Sequence, residues 1–212
     1  MDAESRGTLF VISAPSGTGK STLARRLTES VPGLQFSVSF TTRPRRAGEE
    51  NGREYEFVDD ARFDAMAAAG GFLEWARVFD HKYGTARGAT EAVLAAGTSL
   101  LLDIDVQGAR QVKASGLDAV SVFILPPDYG ALEQRLKRRG SEDASTLSLR
   151  LGAARLEAME YDQFDYVVVN ADLEEAASEL ASIVRAEAAR TARRRNRVNK
   201  ILSTFPDPGI GV

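Results

Sequence analysis

The stretch TLFVISAPSGTGKSTLARRLTES, residues 8–30, passes from an apolar run through a glycine-rich turn into a helical pattern. TLFVIS (8–13) reads as a buried strand and KSTLARRLTES (20–30) as the helix that follows it. The turn between them fits the phosphate-binding loop G-x-x-x-x-G-K-[ST] at Gly19, Lys20 and Ser21, with Ala14 where the first glycine usually stands. In a strand–turn–helix of this kind several backbone N–H groups converge on one point, and the helix dipole favours an anion there. Gly17 and Gly19 permit positive φ and close backbone approach. Lys20 is placed to reach the β- and γ-phosphates, and the Ser21 hydroxyl to ligate Mg²⁺. Ala14 meets a position that asks only for a small residue. Ala14, Pro15, Ser16, Gly17, Thr18, Gly19, Lys20, Ser21 and Thr22 are therefore the candidate ATP-binding segment. The loop alone does not say what reaction it serves.

Outward from it, the chain repeats strand and helix. TSLLLDID (98–105), AVSVFIL (119–125) and YVVVN (166–170) read as further buried strands. Each is followed by a helical stretch: VQGARQVKAS, DYGALEQRLKRR and DLEEAASELASIVRAEAAR. The last opens with Asp172 and Glu175 at capping-box spacing. This alternation predicts an α/β fold, a P-loop NTPase-type parallel sheet flanked by helices. Asp103 and Asp105 end the second strand, where such proteins keep the carboxylate of a Mg²⁺ shell. They alternate onto opposite faces, one toward the metal and one toward an acceptor.

Two segments break the rhythm. Residues 37–88 are rich in Arg, Gly and aromatic residues, with only short strand-like pieces at EYEFV and FLEWARVF. Residues 128–160 read as a helix, a basic Arg-Arg-Gly turn and a second helix from about Asp143. The predicted organisation is a core of 1–36, 89–127 and 161–190, an inserted lobe at 37–88, a helical lid at 128–160, and a basic, flexible tail at 191–212.

Composition narrows the chemistry. Among 212 residues there is no cysteine and one histidine, which removes disulfides and thiolate metal sites and gives no basis for a His-based triad. His81, between Asp80 and Lys82, reads as an exposed loop residue. A net charge of −3 does not point to a general nucleic-acid binder. With no membrane-spanning run and no basic-then-apolar leader, the expectation is a cytoplasmic protein, a monomer or homo-oligomer.

The acceptor is to be sought in SVSFTTRPRRAGEENGREYEFV (37–58), which gathers Ser39, Arg43, Arg46 and Tyr55, and in FLEWARVFDHKYGT (72–85), which adds Glu74, Tyr83 and Thr85. Guanidinium forks suit bidentate phosphate contacts. These strings, followed by LDIDVQGA and preceded by SAPSGTGKST, resemble the guanylate kinase family from about residue 8 to residue 185. The resemblance implies transfer of a phosphoryl group from ATP to GMP, with Mg²⁺ as cofactor. It implies that Ser39, Arg43, Arg46, Tyr55 and Tyr83 hold the GMP phosphate. Glu74 and Thr85 would read guanine, with Asp105 assisting, while Asp103 supports the metal and its waters. RLKRRG resembles the family's lid, bringing Arg135 and Arg139 to the ATP phosphates or adenine. Arg150 would be a further lid arginine, and Asn170 would contact the ATP base. Lys20, Arg46, Arg139, Arg150 and Asp103 form the implied catalytic set.

The chemistry of the residues agrees. Guanine presents N1–H and its 2-amino group side by side, and one carboxylate accepts both. Adenine would leave that carboxylate facing a lone pair. Tolerance of dGMP is not legible. Two departures stand out: Ala144 lies where the family commonly has Glu, and the basic tail has no counterpart in the family core. Two other readings stand beside this one. A catalytically inactive protein-binding module of the same fold is opposed by the retained Lys20, Ser21, Asp103 and both arginines. A P-loop kinase with another acceptor is opposed by Glu74 together with Thr85.

Overall fold

The computed structural model describes residues 6–78, 80–139 and 144–206. In chain order the strands are β1 (Leu9–Ser13), β2 (Leu34–Phe36), β3 (Ser39–Thr41), β4 (Tyr55–Phe57), β5 (Phe72–Val78), β6 (His81–Ala86), β7 (Ser99–Asp103), β8 (Ala119–Leu125) and β9 (Tyr166–Val169). The helices are α1 (Lys20–Ser30), α2 (Asp60–Ala68), α3 (Arg87–Ala95), α4 (Val106–Ala114), α5 (Tyr129–Arg139), α6 (Ala144–Ala158), α7 (Leu173–Ala188) and α8 (Thr191–Leu202).

β1 is buried along its whole length, as a strand covered on both faces must be. Its side chains alternate between two cores. Phe10 and Ile12 pack with Leu23 and Leu27 of α1 and with Leu180 and Val184 of α7. Leu9 and Val11 turn the other way, against Leu94 of α3 and Val112 of α4. The result is a five-stranded parallel sheet in the order β2-β7-β1-β8-β9, with helices on both faces. The chain leaves β1 for one side of the sheet and returns to its other side at β8, so the crevice beyond the carboxyl end of β1 is the expected ligand position.

A second, four-stranded sheet runs β4-β3-β6-β5. Its β5 edge packs on α4, and its β4 edge lies farthest from the core. The sequence reading found β4 and β5 here but not β3, β6 or α2. His81 is a correction: it opens β6 opposite Val78 and is half-buried, because the β5–β6 hairpin is tight enough to draw it out of the loop. Asp105 is another. It lies past the end of β7 and caps α4, its Oδ1 accepting from Gly108 N at 2.8 Å. α5 and α6 pack through Leu132, Leu136, Leu151 and Ala154. Asp143, where the second lid helix was expected to begin, lies outside the described residues. Most of the basic stretch after residue 190 is helix α8, tied back by Arg193 to Glu187 and Asp118. No described helix is long and apolar enough to cross a membrane.

Candidate active site between the two sheets

The loop after β1 takes its shape from two glycines in the left-handed region, Gly17 at φ +91° and Gly19 at φ +97°. Gly19 also starts α1. Four other helices (α2, α4, α5 and α7) begin on an aspartate whose carboxylate accepts a first-turn N–H group. α1 begins on a residue with no side chain, so its first N–H groups stay open to an anion. Thr18 Oγ1 closes the turn by donating to the Pro15 carbonyl at 2.7 Å. The Thr18 carbonyl in turn accepts from Asn170 Nδ2 at 2.7 Å and from Arg135 Nη1 at 3.0 Å. A second Arg135 nitrogen donates to the Asn170 carbonyl at 2.9 Å. Asn170 and Arg135, expected at the nucleotide itself, thus brace the loop through its backbone. Ala14 is buried in the core beneath it, where a methyl group fits.

At the mouth of the loop Lys20 turns toward the acids. Its Nζ lies 2.6 Å from Asp103 Oδ1 and donates to the Ile104 carbonyl. Asp103 Oδ1 is buried, so water screens its ion pair with Lys20 little. Ser21, one residue into α1, is exposed, and Thr22 is half-buried. Two lid side chains reach the loop from α6: Arg150 Nη2 is 3.2 Å from Ser16 Oγ, and Glu157 Oε2 accepts from Ser16 N at 3.1 Å. Burial pushes the Glu157 carboxyl up, against the Ser16 N–H that favours its charge. Glu157 was missed in the sequence, since a single acid on a helix carries no signal of its own. Arg139 closes α5, and its side chain lies outside the described residues.

Across the crevice the second sheet supplies side chains. Glu74 and Thr85 are opposite each other in the β5–β6 register and both are buried. Thr85 Oγ1 donates to Glu74 Oε1 at 2.6 Å, and Ser39 Oγ lies 3.5 Å from Thr85 Oγ1. Burial pushes the Glu74 carboxyl up to about 7, with the Thr85 bond opposing. Nearer the far edge, Arg43 sits over the Tyr55 and Phe57 rings at 5.5 and 5.6 Å, and Tyr55 meets Tyr83 edge-on at 5.7 Å. Arg43 Nη2 is bonded to Glu49 Oε1 at 2.7 Å, which raises the guanidinium further and holds the carboxyl low. The other Glu49 oxygen accepts from Arg46 N at 2.8 Å. Glu49 therefore serves as counter-ion to the arginine segment; it follows both forks in RPRRAGEENG, and nothing in the spacing marked it. The Arg46 side chain is exposed, and its charge also helps to hold Glu49 low.

The expected residues thus fall into groups that face one crevice: the loop with Lys20 and Asp103, the Glu74–Thr85–Ser39 chain, and Arg43 with Tyr55 and Tyr83. A separate cavity of about 400 Å³ lies on the other side of α4, lined by Val112, Leu117 and Phe164 among others. It includes none of the expected site residues, so the crevice is identified by its chemistry rather than by its enclosure.

Comparison with known proteins converges on one description. A family model described as guanylate kinase matches residues 6–187. A guanylate kinase of Rhodopseudomonas palustris is 52% identical over 185 residues, covering 87% of this chain and 84% of that protein. One from Syntrophotalea carbinolica is 47% identical over 195 residues, covering 92% of this chain and 93% of that protein. Among solved structures, the crystal structure of guanylate kinase from Anaplasma phagocytophilum superposes with a TM-score of 0.75 at 34% identity, covering 96% of this chain and 99% of that one.

Proposed function

We propose that this chain, which belongs to the guanylate kinase family, transfers the γ-phosphoryl group of ATP to GMP, giving ADP and GDP. The observation that carries the acceptor is the buried Glu74–Thr85 pair. A buried carboxylate, away from water, accepts the adjacent N1–H and 2-amino donors of guanine, and the single Thr85 O–H, turning from Glu74, donates to O6. Adenine offers neither donor, and a buried charged acceptor left unpaired costs more than the ~1–3 kcal/mol of a neutral one.

The GMP phosphate goes to Arg43, with Tyr55 and Tyr83 beside it, Ser39 nearby and Arg46 closing in from solvent. Binding there replaces the Arg43–Glu49 pair by an Arg–phosphate fork. Asp105 assists at the guanine end. The ATP phosphates occupy the loop from Ala14 to Thr22, and Lys20 leaves Asp103 to follow the γ-phosphate. No nucleophilic side chain is needed, because an oxygen of the GMP phosphate attacks and ADP departs. The protein positions the two and neutralises charge. Arg139 and Arg150 complete the catalytic set from the lid, while Arg135 and Asn170 hold the loop in form beside the ATP base.

One carboxylate, Asp103, and one hydroxyl, Ser21, suit Mg²⁺, which keeps most of its shell from phosphate and water. The buried Asp103 carboxylate at the mouth of the loop fits that use once Lys20 turns to the γ-phosphate. Mg²⁺ bound there supplies charge neutralisation on the phosphate oxygens. We place the protein in the cytoplasm, with its substrates. A coupled assay with ATP, Mg²⁺ and each nucleoside monophosphate should show GMP turned over far faster than AMP, CMP or UMP. Equal rates on AMP and GMP would refute the reading.

A further inference from the structure

Glu74 sits on β5, in the second sheet, yet the surface that receives its carboxylate belongs to the core. Facing it is Gly108, in the first turn of α4 and buried. A Cβ built on Gly108 would lie 2.7 Å from Glu74 Oε2 and 3.3 Å from its Cδ. That is closer than such atoms can approach, so the carboxylate occupies the space a side chain would fill. The same residue's N–H holds Asp105 Oδ1 at 2.8 Å, so its bare Cα and its amide address both acids assigned to the guanine end.

One turn along α4, Gln111 fixes the strand in register. Its Oε1 accepts from Trp75 N at 3.1 Å and its Nε2 donates to Trp75 O at 2.8 Å. A two-point amide clamp on the residue next to Glu74 leaves that strand little freedom to retreat. The other groups near the carboxylate are Thr85, which donates to it, with the charges of Asp105 and Lys20 close by.

We infer that Gly108 is a positioning residue for acceptor specificity: its absent side chain is the seat of the Glu74 carboxylate, and the Gln111 clamp holds β5 against that seat. The inference rests on the guanine reading of Glu74. Its physical content is that an added methyl has two ways to be relieved. Moving backbone is opposed by the clamp, so the carboxylate itself moves, away from the position that meets N1–H and the 2-amino group. The fold is left nearly untouched, because alanine is a better helix residue than glycine.

The test is Gly108→Ala, Glu74→Ala and the double variant in the full chain. GMP affinity is read from the fluorescence of Trp75, the one tryptophan of the sequence, and turnover from the coupled assay. Gly108→Ala should weaken GMP binding by about tenfold or more, the scale of a misplacement near 1 Å, while KM for ATP stays within about twofold. Its thermal midpoint should not fall below that of the wild type. In the Glu74→Ala background the same substitution should have no further effect on GMP, since the methyl then meets only Ile104 Cβ, at 3.3 Å, and no carboxylate. Unchanged GMP affinity in Gly108→Ala, an equal loss for ATP, or simple additivity in the double variant would each overturn the inference alone. A wild-type protein that does not distinguish GMP from AMP would overturn the activity and this inference with it.

Discussion

The two halves of the crevice are built from different materials. The donor half is main chain: glycine-permitted turns, open N–H groups at the start of α1, and a carbonyl braced by Asn170 and Arg135. The acceptor half is side chain, with Glu74, Thr85, Arg43 and Glu49 engaged with one another. Main-chain donors carry no preference among bases and tolerate a change such as alanine at position 14. Side chains carry the preference, and single substitutions rewrite it. On the proposed assignment, affinity for triphosphate is a property of the fold, and choice of acceptor is a property of a few residues.

The sharpest way to break that division is at Lys20, the side chain through which the donor half takes part in the chemistry. Lys20→Ala should lower kcat by about a thousandfold or more, on the scale of losing a preorganised charge at the transferring phosphoryl group. Circular dichroism and the thermal midpoint should stay near wild type. Near-normal turnover would mean that backbone alone suffices.

The acceptor half should respond to pH where the donor half does not. With the Glu74 carboxyl at about 7, GMP must find it ionised. KM for GMP should therefore fall about tenfold from pH 6 to pH 8, the sign and size expected of one such group. The GMP phosphate also titrates near pH 6, so the comparison is with Glu74→Gln, whose profile keeps only that contribution. Identical profiles would remove Glu74 from the guanine contact. Stability carries the opposite sign. Between 4.5 and about 7 the folded state binds more protons than the unfolded one, so Glu74 subtracts stability as pH rises. Its cost above that window is on the order of 3 kcal/mol, and urea titrations of Glu74→Gln should show it relieved.

Asn170 gives the smallest effect and sharpens the claim about bracing. Asn170→Ala removes a buried donor from the Thr18 carbonyl. Because Arg135 still donates to that carbonyl, the loss should be about 0.5–1.5 kcal/mol of stability together with a several-fold rise in KM for ATP, leaving KM for GMP unchanged. A rise in KM for ATP with no loss of stability would assign Asn170 to the nucleotide alone.

What the sequence made legible follows the same divide. β1, the loop and α1 could be read at once, because a fully buried strand is a continuous apolar run and a phosphate turn has fixed glycines. β3 and β6 could not. SFT is too short to show a period, and HKYGTA is polar because it carries Tyr83 and Thr85 for the site. The residues of the acceptor half were identified by family pattern, and their wiring was invisible: no spacing shows that Glu49 neutralises Arg43 or that Gly108 seats Glu74. Asp105 was read as the end of a strand because Asp103, Ile104 and Asp105 continue the apolar run in strand-like alternation. The aspartate's ability to cap a helix won over the extension of the strand.

The Gln111 clamp also has a mechanical meaning. The second sheet is bolted to the core along β5, at one edge, while β4 forms its opposite edge. Were the sheet to swing over the crevice, the clamp would make the β5 side its axis. The end that reads the base is then the pivot and moves least, and the end that carries Arg43 and Tyr55 is the tip of the lever and travels farthest. Recognition of the base can be complete while the crevice is still open, with the swing left to deliver the phosphate.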